Sequence, residues 1–158
     1  MAVRVLFVCL GNICRSPTAH GVFQHLVAKS GLQHAIEVDS AGTGGWHIGE
    51  PPDKRAIGAA NGRGYDLSPL RARKFSADDL QRFDYVLAMD HENLQDMLAA
   101  KKASPRGHVG LFLKFDKNSD YEEVPDPYFG GAKGFERVLD LIESASQGLL
   151  EHIQKQHL

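Results

Sequence analysis

The sequence predicts an α/β fold: a single doubly wound domain over residues 1–158, with a four-stranded parallel sheet and helices on both faces. Three observations predict it. Four short runs of β-branched and apolar residues recur along the chain, separated by segments with helical periodicity, the pattern of parallel strands joined by right-handed crossovers. The first run, "VRVLFV", is β-branched and apolar almost throughout, as a strand covered on both faces is. The 158 residues are 42% hydrophobic and 24% charged, close to globular averages, and show no repeat, low-complexity segment or linker.

The elements follow in order. "VRVLFV" (3–8) is the first buried strand. "SPTAHGVFQHLVAKSG" reads as a helix with Ser16 as cap, Pro17 at its first position and a stripe of Val22, Phe23, Leu26 and Val27. Gly31 stops it. "AIEVDSAG" (35–42) is the second strand and runs into the Gly-rich loop "AGTGGWHIGEPP"; "PDKRAIGAANGRG" is a helix with Pro52 early in it. "SADDLQRF" (76–83) opens with a Ser-x-x-Asp near-capping box. "DYVLAMD" (84–90) is the third strand, "HENLQDMLAAKK" a helix and "HVGLFLKF" (108–115) the fourth strand. After a long polar loop, "FERVLDLIESASQGLLEHIQKQ" closes the chain as an amphipathic helix, with Phe135, Val138, Leu139, Ile142, Leu149, Leu150 and Ile153 at helical spacing.

Composition narrows the function. A net charge of −2 argues against a general nucleic-acid binder, whose affinity comes from phosphate neutralisation. No apolar run approaches the ~20 residues of a membrane-spanning helix. The two cysteines form neither a disulfide framework nor a zinc site, and the eight histidines are scattered. The N-terminal apolar run contains the best motif in the chain, so it reads as mature sequence and the protein as cytoplasmic.

In a doubly wound sheet the ligand lies beyond the carboxyl ends of the strands, which puts the loops at 9–16, 41–52 and 116–131 on one edge. The first reads "VCLGNICRSP". A strand-to-helix turn collects unpaired amides beside the positive end of the helix dipole, an anion site before any side chain is counted. Leu10, Gly11, Asn12, Ile13, Cys14 and Ser16 form that cradle, and Arg15 adds a fork for two phosphate oxygens. Cys9 stands at its start, where positive potential favours the nucleophilic thiolate. Attack on phosphorus, giving a cysteinyl-phosphate, is the natural reaction. "GNICRS" lacks the Lys-Ser/Thr of a nucleotide-binding phosphate loop. The leaving group needs a proton, and "VPDPYFGG" offers Asp126 between two prolines, with Tyr128 and Phe129 to line the mouth and stack on an aromatic substrate.

"VLFVCLGNICRSP" and "DPYFGG", with "DSAGT", "GWHIGEPPDKRA", "RAR" and "FDYVLAMD" in order, resemble the low-molecular-weight protein tyrosine phosphatases over nearly the whole chain. The resemblance implies a metal-independent, cofactor-free, two-step hydrolysis of phosphotyrosine. Cys9 is then the nucleophile, Arg15 the phosphate clamp and Asp126 the acid that later serves as base. It also implies that Ser16 stabilises the thiolate, that Asn12 holds the loop in a strained shape with Ser40 as its outer partner, and that Trp46 walls the cleft opposite Tyr128. The implied partners are phosphotyrosine-containing proteins, a tyrosine kinase being one candidate, met by a monomer or weak dimer without nucleic acid or membrane insertion.

The chain also departs from the family. Leu70 stands where many members have a histidine that braces the loop asparagine, and Phe129 where many have a second tyrosine. Ile13 separates the chain from an arginine-phosphatase branch with threonine there. His20, His25 and His47 read as surface or helix-packing residues. Cys14 has two readings, a small buried residue at the base of the loop or a partner that traps oxidised Cys9 as a disulfide. Two rival functions remain at this point. An arsenate reductase on the same scaffold normally needs more cysteines for its relay. A non-catalytic phosphoryl-binding module would have no reason to keep both Cys9 and Asp126.

Overall fold

The computed structural model describes residues 2–127 and 131–158. Strands β1 (Val3–Cys9), β2 (Ile36–Gly42), β3 (Tyr85–Ala88) and β4 (His108–Leu111) pair in parallel in the order β2-β1-β3-β4. The helices are α1 (Arg15–Lys29), α2 (Lys54–Asn61), α3 (Asp79–Arg82), α4 (His91–Ala99) and α5 (Gly131–His157). The doubly wound α/β architecture is the one the strand–helix alternation predicts.

β1 explains the layering. Val3, Val5, Phe7 and Cys9 point to one face, where Val22 and Phe23 of α1, Ala56 and Ala60 of α2, and Leu139, Ile142 and Leu149 of α5 bury them. Leu6 and Val8 point to the other, against Leu80 of α3, Met97 of α4 and Phe83. A period of two with both faces covered makes every position from Val5 to Cys9 apolar. The chain leaves β1 for α1 on one face and β3 for α4 on the other. A crevice therefore opens between the carboxyl ends of these paired strands, the usual ligand position in such sheets.

Several boundaries differ from expectation, each for a local reason. β4 stops at Leu111, and Phe112–Phe115 form a 3-10 turn. Phe112 and Leu113 are consecutive yet join the same core, which a strand with alternating sides cannot arrange. β3 ends at Ala88 because Asp90 leaves the strand to cap α4, accepting a bond from Asn93 N at 2.7 Å. Asp53, not Pro52, sets the start of α2 by accepting from Arg55 N at 2.8 Å. The near-capping box is half made: Asp79 accepts from Ser76 N at 2.9 Å, while α3 itself begins at Asp79. α5 begins at Gly131, earlier than its apolar stripe.

Candidate active site

Cys9 is the last residue of β1, and α1 begins at Arg15. The five residues between curl back on themselves, held from outside by the backbone. Thr43 N donates to Cys9 O, Gly44 N to Leu10 O and Asp53 N to Ile13 O, at 2.8–2.9 Å. In a trans peptide the N–H points opposite the C=O, so the amides of Leu10, Gly11 and Cys14 face inward. Asn12 makes the turn in the left-handed region, at φ 57°, which asparagine tolerates better than most residues. Its side chain locks the shape: Nδ2 donates to Ser16 Oγ at 2.7 Å, and Oδ1 accepts from Arg73 N at 3.0 Å.

The Cys9 sulfur is 3.0 Å from Ser16 Oγ and accepts from Asn12 N at 3.3 Å. Ser16 is thus occupied with the sulfur and does not cap α1, whose cap position is Cys14. Arg15 is buried, and its Nη1 donates to Asp90 Oδ2 at 2.6 Å and to Val124 O at 3.1 Å. Burial works against the guanidinium charge, but Cys9, Asp90 and Asp126 outweigh it and hold Arg15 above the ordinary arginine value.

These groups share one cavity of about 220 Å³, lined by Cys9, Leu10, Gly11, Ile13, Cys14, Arg15, Trp46, His47 and Asp126. The structure therefore brings together the cradle, the thiol, the guanidinium, the carboxyl and the indole that the sequence singled out. A larger cavity of about 580 Å³ lies behind the Asp126 loop, lined by Tyr121, Pro125, Pro127 and Arg137 among others. It reaches neither the thiol nor Arg15, which both line the smaller one. Tyr128 and Phe129 lie outside the described residues.

Ser40 is placed differently from expectation. It bonds to His20 Nδ1 at 2.9 Å, not to Asn12. Ile36, Val38 and Ser40 share the face of β2 that meets α1, where His20 is buried. Burial pushes His20 below the ordinary histidine value, with Asp39 opposing and Arg73 assisting. With Leu70 in the bracing position, the brace on Asn12 comes from the Arg73 amide. The Arg73 side chain is in turn fixed by Asp39 and Asp79. Cys14 is buried, and its thiol is pushed up to about 12, first by burial and then by the charges of Asp53, Cys9 and Asp126, against Arg55.

Sequence reasoning missed four contributors. Asp90 ends the third apolar run, and a carboxylate there was the available signal. Arg73 lies in the quoted "RAR". His47 lines the cavity with Nδ1 on Glu50 Oε2, yet nothing in its spacing distinguishes it from the other histidines. Gly42 is the fourth: a β-carbon there would stand 2.8 Å from Leu10 O and 3.0 Å from Asn12 N, inside the cradle's own backbone.

Residues 4–158 match the family model described as low molecular weight phosphotyrosine protein phosphatase. The chain is 44% identical over 154 residues to the low molecular weight protein-tyrosine-phosphatase YfkJ of Bacillus subtilis, covering 98% of this chain and 97% of that protein. The YfkJ crystal structure superposes with a TM-score of 0.94 at 42% identity, covering 100% of this chain and 98% of that one. A protein tyrosine phosphatase structure from Entamoeba histolytica also gives 0.94, at 36% identity, covering 99% and 100%.

Proposed function

Because the chain belongs to the low molecular weight phosphotyrosine protein phosphatase family, we propose specific roles for its residues in a phosphatase reaction. It is a protein-tyrosine phosphatase, hydrolysing phosphotyrosine by way of a cysteine nucleophile. In our reading Cys9 attacks phosphorus in line with the departing phenolate oxygen while Asp126 delivers its proton. The inward amides of Leu10, Gly11 and Cys14, together with Arg15, hold the three remaining oxygens as charge spreads over them. Water then attacks the cysteinyl-phosphate, Asp126 takes its proton, and phosphate leaves with the thiolate restored. Ser16 and the Asn12 amide steady the sulfur at both ends of the cycle. Trp46, which lines the cavity, receives the substrate ring.

The observation that carries this reading is the Cys9 sulfur, held by Ser16 Oγ and Asn12 N within the one cavity that also contains Arg15 and Asp126. Hydrolysis of p-nitrophenyl phosphate and of a phosphotyrosine peptide tests it. Cys9→Ser should abolish turnover of both. Asp126→Asn should slow the peptide about 10²–10⁴-fold, the usual worth of a general acid. Turnover surviving in Cys9→Ser would sink the mechanism.

Cys14 lines the same cavity as Cys9, and its raised pKa makes it a poor attacking group in the resting enzyme. In the protective reading it gives up its proton to the departing hydroxide of oxidised Cys9. A peroxide would convert the Cys9 thiolate to the sulfenic acid. The Cys14 thiol would then condense with it, forming the disulfide and releasing water. We further read residues 1–158 as one domain, acting without metal or cofactor on phosphotyrosine-containing proteins, a tyrosine kinase being one candidate. We assign it to the reducing cytoplasm that two free thiols suit, as a monomer or weak dimer. Among the described residues no helix is long and apolar enough to cross a membrane.

A further inference from the structure

We propose that Leu10, Trp46 and Ile48 form a rigid apolar shelf at the cleft mouth that receives an apolar side chain adjacent to the phosphotyrosine of the substrate protein. The inference rests on the phosphatase reading above and adds a choice among phosphotyrosines. Large hydrophobic side chains that stay exposed are few here: Leu10 at 39%, Trp46 at 70%, Ile48 at 61%, with Leu98, Tyr121 and Leu158 elsewhere among the described residues. Half of them thus lie on two neighbouring loops, Leu10 and Trp46 at the reaction cavity and Ile48 two residues beyond Trp46. Scattered single exposures need no explanation, whereas a cluster beside a binding cleft does.

The shelf is held in place. The Trp46 ring lies so close over Gly44 that a β-carbon there would fall 1.8 Å from Cζ3, and one at Gly45 would stand 3.4 Å from Ile48 Cδ1. The backbone is tied on both sides, by Gly44 N to Leu10 O at 2.9 Å and by Gly49 N to Ala72 O at 2.8 Å. Preorganised apolar surface loses little entropy when a partner covers it. Leu10 and Trp46 also line the reaction cavity, so the shelf adjoins the surface on which the phosphotyrosine ring would sit, and Ile48 stands exposed two residues further along the same loop. Between them His47 turns into the cavity and is held by Glu50. A carboxylate beside the phosphotyrosine would meet apolar surface between the Glu50 charge and Lys74, whose Cδ would stand 3.6 Å from a β-carbon at Gly45. A Leu, Ile, Val or Met side chain would bury area against Ile48 and Trp46.

The test compares phosphotyrosine peptides that differ only in one flanking residue, Leu, Ala, Glu or Lys, on either side, with p-nitrophenyl phosphate in parallel. On one side of the phosphotyrosine the Leu peptide should exceed the Ala and Glu peptides in kcat/KM by about fivefold, the worth of a partly buried aliphatic side chain. Ile48→Ser should collapse that preference to below about twofold while p-nitrophenyl phosphate turnover is unchanged. Equal rates for all peptides in the wild type, or a Leu preference that survives Ile48→Ser, overturns the shelf and leaves the phosphatase reading intact. Flat peptide rates with Ile48-dependent binding to phosphatidylglycerol-containing vesicles overturn it in favour of a membrane surface. A wild type inactive on p-nitrophenyl phosphate removes the underlying reading and the shelf with it.

Discussion

Asp90 uses its two carboxylate oxygens for two jobs. Oδ1 caps α4 through Asn93 N, and Oδ2 holds the guanidinium of Arg15. The jobs can be separated by substitution. Asp90→Asn keeps an oxygen for the cap but loses the charge that orients Arg15. Its kcat/KM should fall about 10–100-fold, from the ~1.5–3 kcal/mol of a charged hydrogen bond, with little change in melting temperature. Asp90→Ala should match that loss of activity and lose about a further 1 kcal/mol of stability through the missing cap. Steady-state kinetics and urea denaturation on the two variants check both statements. The residue was visible in the sequence only as the end of an apolar run. Its bond to a side chain 75 positions away depends on β1 and β3 being neighbours, which no local pattern encodes.

Helices and strands here meet at places where only glycine fits, and two make opposite demands on measurement. At the end of β2, Gly42 lets the phosphate cradle pass within van der Waals reach of the strand. Gly42→Ala should leave the far-ultraviolet circular dichroism unchanged and lower kcat/KM about tenfold, because small displacements of a positioned loop are costly. Within α5, a β-carbon at Gly148 would fall 1.8 Å from Phe115 O of the 3-10 turn. Gly→Ala inside a helix normally stabilises by about 1 kcal/mol. Here the sign should invert, with Gly148→Ala destabilising by about 1–3 kcal/mol in urea denaturation and leaving kcat unaffected. Element order and type were legible because periodicity is a local property. The early end of β4 was not, because it is set by where Phe112 and Leu113 must go in a core assembled from distant segments.

Across the whole molecule, proton binding offers a further check. Buried His20 lies below its unfolded value of about 6.5, so in that window the unfolded chain binds more protons. Its contribution to stability is therefore complete above pH ~6.5 and is lost as the pH falls from there through the folded value, at no more than about 1.4 kcal/mol per pH unit. His20→Asn, which can still meet Ser40 Oγ, should be less stable than wild type near pH 8 and close that gap towards pH 5. A constant gap from pH 5 to 8 would contradict this linkage. The cradle of the candidate site was legible in the sequence since Cys9, Arg15 and the amides between them are contiguous. Partners such as Ser40 for His20, or Arg73 for Asn12, come from sheet register and chain crossing, which the sequence carries only in distributed form. The outer segment 43–53 grips the cradle through its own amides, while Trp46 and Ile48 stand away from that grip. An exposed side chain on this segment such as Ile48 can therefore change without disturbing the backbone path that holds the cradle.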